Sequence, residues 1–171
     1  MKIVINARMR GLLEGKLPAV VVPHYVASMA EAEAAIDDAE AAWLDFFPDP
    51  GRNAIALGRK LRWFSTSFAG VDTLPVAEMR ARGAILTNGA GLNAIPCAEY
   101  ALLGVLALAK NLPEVIRMGD RHEWPRASPG TGELPESRAL VIGYGAMGRA
   151  VGERLRAFGV EVVGVRRTPG D

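Results

Sequence analysis

A doubly wound α/β architecture is what this sequence predicts, and three observations carry the prediction. Short apolar runs alternate with helix-forming segments rich in Ala and Glu along the chain. One run, Ala139 to Ile142, is apolar without alternation, as in a parallel strand covered on both faces by helices. That run breaks directly into Gly143, Gly145 and Gly148, spaced G-x-G-x-x-G, and a helical pattern follows.

The elements follow in order. Lys2 to Asn6 reads as the first strand and Ala19 to Pro23 as the second, with a short helical pattern through Leu12 and Leu13 between them. Met29 to Ile36 is an Ala- and Glu-rich helix with Ser28 placed to cap it, and Ala41 to Phe47 is a third strand despite its helix-friendly alanines. Ala54 to Lys60 reads as helix, Leu61 to Thr66 as strand, Leu74 to Arg82 as amphipathic helix, and Ala84 to Thr87 as a short strand. Such alternation places a ligand crevice at the carboxyl ends of the strands.

Asn93 to Lys110 is the longest apolar helical pattern, with Pro96 tolerated near its start. It is apolar enough to need cover on several faces, from its own core or from a partner subunit. A further helix runs through Glu114 to Arg121. Trp124 to Glu136 then collects three prolines and two glycines, the composition of a surface connection.

At the glycine motif each residue type has a reason. Gly143 opens the turn, Gly145 lets a pyrophosphate approach the backbone, and Gly148 lets the helix pack on the strand. The helix beginning near Ala146 offers free N–H groups and its positive dipole end to phosphates. Arg149 to Phe158 continues it, Gly159 ends it, and Val160 to Val165 is a second strand. A strand–glycine turn–helix–strand unit points to a dinucleotide; the plain alternative is a glycine turn in an unrelated α/β sheet.

Twenty basic against nineteen acidic side chains in 171 residues give a net charge of +1 without a block of like charge. Nothing there favours nucleic acid or an anionic membrane surface, so small molecules or protein are the expected partners. The single Cys97 excludes an internal disulfide and reads as a small buried residue; with two histidines it makes no ordinary zinc site, and no metal is expected. A reducing cytoplasm fits this. Met1 to Ile5 is a strand-like start with no long apolar segment behind it, so neither a signal peptide nor a membrane span is expected.

Several stretches together resemble the D-2-hydroxyacid dehydrogenases, whose members include glyoxylate/hydroxypyruvate reductases. Leu61 to Asp72, ending Ala-Gly-Val-Asp, resembles the family's strand and turn; Gly83 to Asn93 resembles its RGI-x-VTN-x-x-G-x-N segment; Ala98-Glu99 and the apolar helix fit its hinge helix; Glu133-Leu134 and Ala139 to Gly148 fit its entry into the nucleotide domain. The resemblance covers residues 61 to 168 well, and the first 60 only in their α/β pattern. It implies an α/β chain with a flavodoxin-like parallel-sheet substrate domain over 1–93. Hinge helices and the first β-α-β of a Rossmann dinucleotide-binding domain would follow over 94–171.

The activity implied is hydride transfer between a nicotinamide cofactor and a 2-keto or D-2-hydroxy acid. The backbone amides of Ala69, Gly70 and Val71 would hold the substrate carboxylate, since consecutive N–H groups at a glycine turn form an anion-binding concavity. The other reading of that turn is a simple strand end with Asp72 capping the next helix. Tyr144, Gly145, Ala146 and Met147 would line the pyrophosphate. A homodimer through residues 93–110 is implied as well.

Cofactor choice follows from charge. Where NAD-type members end their second strand in an acidic residue that bonds the ribose, this chain has Arg166-Arg167-Thr168, with Arg166 eighteen residues after Gly148. A guanidinium pairs with a 2′-phosphate that a carboxylate would repel, so NADP is expected over NAD, against the alternative that both arginines are simply solvated.

The family's catalytic arginine, glutamate and histidine correspond to positions past Asp171, so no catalytic residue is assigned and these 171 residues are expected to be inactive alone. His24 and His122 read as surface or loop histidines. A non-catalytic dinucleotide-binding or interaction module, and an inert truncated fragment, are the alternatives.

Overall fold

A computed structural model describes residues 1–46 and 51–168, which fall into two units, Met1–Ala90 and Gly91–Asp171. The first unit runs β1 (Lys2–Asn6), a 3-10 turn (Ala7–Met9) continuing into α1 (Arg10–Leu13), β2 (Val22–Val26), α2 (Met29–Ala35), β3 (Ala41–Trp43), α3 (Arg52–Leu57), β4 (Trp63–Ser65), α4 (Val76–Ala81) and β5 (Ile85–Thr87). All five strands are parallel, in the order β2-β1-β3-β4-β5. The order reverses direction between β1 and β3, the place where open α/β sheets form their crevice.

Register sorts the side chains by the two-residue period of a strand. Val4, Ala42, Phe64 and Leu86 make one row across the sheet, and Ile3, Ala41, Trp63 and Ile85 make the row on the opposite face. The first row lies in the main core with Ile36, Ala54, Ile55 and Met79, contributed by and around α2, α3 and α4. The second row is covered only at its β1–β3 end, where Ile3, Ile5 and Ala41 meet Leu13, Leu17 and Tyr25. Ile85, at the far end of that row, is exposed.

Ser28 caps α2 as expected: its Oγ accepts from the Glu31 amide at 3.2 Å, and the Glu31 carboxylate accepts from the Ala27 amide at 2.8 Å. The second strand differs from expectation. It starts at Val22 and continues through Pro23 and His24 to Val26. Proline, having no N–H, is tolerated because β2 is an edge strand. The third strand stops at Trp43, since Asp45 turns into the left-handed region at φ +39°; Phe47, its expected end, lies outside the described residues.

The second unit contains α5 (Ala94–Ala109), α6 (Leu112–Asp120), β6 (Arg138–Ile142), α7 (Ala146–Ala157) and β7 (Glu161–Val165). Leu134, Leu155 and Val160 form its core with Leu102, Val105, Leu106 and Ala109 of α5, and Ala139, Val151 and Val162. Helices α5 and α6 meet at 69°, with Asn111 between them in the left-handed region at φ +47°. Among the described residues no single helix is long and apolar enough to cross a membrane.

Two expectations are corrected here. Cys97 is exposed, because the buried stripe of α5 runs through Ala98, Leu102 and Leu106 and leaves Cys97 beside it. Strand β6 is not covered on both faces. Its burial alternates, with Ala139 and Val141 half-buried while Leu140 and Ile142 are exposed by 62% and 81%. The register pairs Leu140 with Val163 and Ile142 with Val165, so one apolar face of the β6–β7 pair is open.

On the covered face Tyr144 locks helix to sheet. A Cβ on Gly164 would lie 2.4 Å from the Tyr144 ring, and one on Gly152 would lie 2.7 Å from its hydroxyl oxygen. That hydroxyl accepts a hydrogen bond from Arg156 at 2.9 Å. Tyr144 therefore requires glycine on both α7 and β7.

Phe64→Ala empties a fully buried position and should cost about 3–5 kcal/mol, whereas Ile85→Ala, on the open end of the other face, should cost less than about 1 kcal/mol; chemical denaturation of the two variants measures both. Gly164→Ala should destabilise by about 1–3 kcal/mol in the unsubstituted chain and by much less in a Tyr144→Ala background, and additive effects in that cycle would contradict the locking contact.

Candidate functional site

At the carboxyl edge of the five-stranded sheet, side chains just past the strand ends bond to one another. Asn6, buried at the end of β1, accepts from the Arg8 amide at 3.0 Å and donates to the Asp45 carbonyl at 3.3 Å. The half-buried Asp45 carboxylate collects four donors. Oδ1 accepts from Thr66 Oγ1 at 2.5 Å; Oδ2 accepts from Trp43 Nε1 at 2.6 Å, the Ser67 amide at 2.8 Å and Ser67 Oγ at 2.6 Å. Thr66 Oγ1, its proton committed to Asp45, accepts from the Phe68 amide at 3.1 Å.

The same segment is held from the β5 side. The Thr66 amide donates to the Thr87 carbonyl at 3.0 Å, the Gly89 amide to the Phe68 carbonyl at 3.0 Å, and Asn88 Nδ2 to the Ala69 carbonyl at 2.8 Å. Beyond this point the donors are unspent: the amides of Ala69, Gly70 and Val71 have no acceptor among the described residues, and Ala69 and Gly70 are exposed. Asp72 caps no helix, since α4 begins after Pro75 without a side-chain cap. The turn thus presents consecutive free N–H groups suited to an anion. Sequence reasoning found the turn but missed Asp45, Thr66, Ser67 and Asn88 that hold it; the available signal was an acid inside the apolar run Ala41 to Phe47, which needs donors if it is even half-buried.

In the second unit the glycine turn has the geometry its spacing predicts. Gly143 sits at φ +95°, and its amide and that of Tyr144 donate to the Val165 carbonyl at 2.8 and 3.0 Å. This ties the turn to the end of β7. A Cβ on Gly148 would lie 2.3 Å from the Gly143 carbonyl oxygen, which fixes the close helix–strand packing, while a Cβ on Gly145 would point into open space. No side chain caps α7, and the amides of Ala146, Met147 and Gly148 donate to no backbone carbonyl. A pyrophosphate fits there, facing free N–H groups at the positive end of the helix. At Tyr144 both groups are committed, the ring to Gly152 and Gly164 and the amide to the Val165 carbonyl.

Arg166 follows β7 directly and is exposed, as are Arg167 and Thr168; neither arginine pairs with a described residue. His24 is exposed on edge strand β2 and His122 is exposed at φ +54° after α6. Among the described residues no three His, Cys, Asp or Glu side chains group to hold a metal. A hollow of about 560 Å³ lined by Val115, Met118, Trp124 and Pro125 contains none of these site residues.

Residues 102–171 match the family model described as D-isomer specific 2-hydroxyacid dehydrogenase, NAD binding domain. The chain is 32% identical over 113 residues to a D-3-phosphoglycerate dehydrogenase of Methanocaldococcus jannaschii, covering 66% of this chain and 22% of that protein. It is 34% identical over 110 residues to a glyoxylate reductase/hydroxypyruvate reductase of Mus musculus, covering 62% of this chain and 33% of that one. A solved D-isomer specific 2-hydroxyacid dehydrogenase family protein from Aeromonas salmonicida superposes with a TM-score of 0.82 at 26% identity, covering 97% of this chain and 53% of that chain. The chain therefore spans about half of that solved relative and a third or less of the two curated ones. With the parallel sheets, the glycine cradle and these matches taken together, the chain belongs to the D-2-hydroxyacid dehydrogenase family.

Proposed function

We propose that the protein containing these residues transfers a hydride between a nicotinamide dinucleotide, NADP in preference to NAD, and a small 2-keto or D-2-hydroxy acid. The observation that carries the reading is the uncapped start of α7, where three amides stand free behind a glycine turn tied to β7. In this reading Met1–Ala90 is the substrate unit and Gly91 onward begins the dinucleotide unit. The free amides of Ala69, Gly70 and Val71 take the substrate carboxylate; Gly143, Gly145 and the amides of Ala146, Met147 and Gly148 take the pyrophosphate; Arg166, with Arg167 and Thr168 beside it, takes the 2′-phosphate.

Bound there, the cofactor supplies the hydride acceptor or donor. These residues bind and orient. Neither histidine is assigned proton transfer: His24 is exposed on edge strand β2 and His122 is exposed at a left-handed position after α6. A cytoplasmic setting accords with the lone cysteine.

Titration of the 171-residue chain with both reduced cofactors tests the reading. NADPH should bind at least about tenfold more tightly than NADH, the equivalent of ~1.4 kcal/mol, and Arg166→Asp should abolish that preference; equal affinities, or an unchanged preference in the variant, would sink the NADP assignment. The same preparation should turn over no glyoxylate. We further propose a homodimer through residues 93–110, where Ile95, Tyr100 and Leu103 leave an exposed apolar face on α5. Sedimentation should show a dimer at micromolar concentration and a monomer for Leu103→Glu, and a monomer in both would refute it.

A further inference from the structure

We propose that Asp45 is a positioning residue for substrate: by gathering Thr66 and Ser67 it sets the Ala69–Val71 turn as a preformed receptor for the carboxylate of a 2-keto acid. The inference rests on the keto-acid reading above and adds to it the group that builds the receptor.

The turn is otherwise an exposed loop, and an exposed loop must be ordered at the moment of binding, which weakens affinity. Here the ordering is met at folding. From Thr66 to the Ala69 carbonyl every segment of backbone is held: the Thr66 amide by Thr87, the Ser67 amide by Asp45, the Phe68 amide by Thr66 Oγ1, the Phe68 carbonyl by Gly89 and the Ala69 carbonyl by Asn88. Two of these ties originate at Asp45, one directly and one through Thr66, whose hydroxyl can accept from Phe68 because its proton points to Oδ1. The amides that follow are the first without an acceptor.

Asp45 adopts φ +39°, a conformation unfavourable for a residue other than glycine, and it is held there by four hydrogen bonds to its carboxylate and one from Asn6 to its carbonyl. Charge-assisted bonds of this kind are about twice as strong as neutral ones. An amide in place of the carboxylate would set an NH2 group against the donors of Ser67 and Trp43 or against Thr66, so at least one tie to the loop is lost while side-chain volume is kept.

The test is nuclear magnetic resonance titration of the isotopically labelled 171-residue chain with glyoxylate. In the unsubstituted chain glyoxylate should shift the amides of Ala69, Gly70 and Val71. In Asp45→Asn the midpoint should rise about tenfold or more, with faster hydrogen exchange at Ser67 and Phe68, and Asp45→Glu, which keeps the acceptor, should recover part of the affinity. NADPH-dependent shifts at Gly143 to Gly148 should keep their midpoint in all three. Ser67→Ala and Thr66→Val, which leave the carboxylate in place, carry the same test if Asp45→Asn does not fold, each with a rise of a few fold. Equal glyoxylate midpoints in the unsubstituted chain and the variants overturn the positioning role and leave the keto-acid reading standing. No glyoxylate-dependent shift at the turn in the unsubstituted chain overturns that reading and the positioning role together.

Discussion

Backbone N–H groups that find no acceptor at the carboxyl ends of parallel strands are the constraint around which both units are built. Parallel strands deliver all their carboxyl ends to one edge, and the helix or turn that follows each begins with amides lacking a carbonyl four residues earlier. Such amides can be absorbed locally, as Ser28 absorbs one at α2. In the second unit they are left over: Gly143 at φ +95° turns the chain into α7, and the residue at the helix cap is Gly145, which has no side chain to accept from the first amides. In the first unit Asp45 and Asn88 absorb the groups up to the Ala69 carbonyl and stop there. A free donor row results in each unit by a different route.

What could be read in the sequence follows from this difference. The second unit's donor row arises within six residues, Gly143 to Gly148, through a left-handed turn at Gly143 and a close approach at Gly148 that only glycine permits, so composition and spacing disclose it. The turn at Ala69 to Val71 was located through its resemblance, but the carboxylate that holds it lies 21 and 22 residues earlier, from Thr66 and Ser67 back to Asp45. No local pattern encodes that distance. The apolar run Ala41 to Phe47 reads as one strand through Asp45; the left-handed backbone at Asp45 is a tertiary consequence of donors brought from the end of β4.

Tertiary context also explains the other departures. Ala19 to Pro23 reads as a strand, yet the strand begins at Val22, one residue before the proline, and runs on through it, because β1 pairs with β2 only on one side and a missing donor on the other costs nothing. An unalternating Ala139 to Ile142 implied two covered faces, and the described residues cover one, through α7 and the Tyr144 contact with Gly164. That contact was invisible in the sequence for a related reason: Tyr144 occupies a variable position of the glycine motif, while the two glycines that admit its ring stand on α7 and β7.

A carboxylate that builds a receptor for another carboxylate raises a question of sign. On the proposed reading, two unit charges repel, by about 4 kcal/mol at about 4 Å for an effective dielectric constant of about 20 and by less at any greater separation. Against that stand the hydrogen bonds from three free amides to a bound carboxylate, each worth about 1.5–3 kcal/mol when the acceptor is charged. The ordering term favours the same outcome, since fixing a residue's backbone costs about 1–2 kcal/mol and several residues of the loop are already fixed. Repulsion is also moderated locally, because four donors have their positive ends turned on the Asp45 carboxylate. Held amides therefore outweigh the opposing charge.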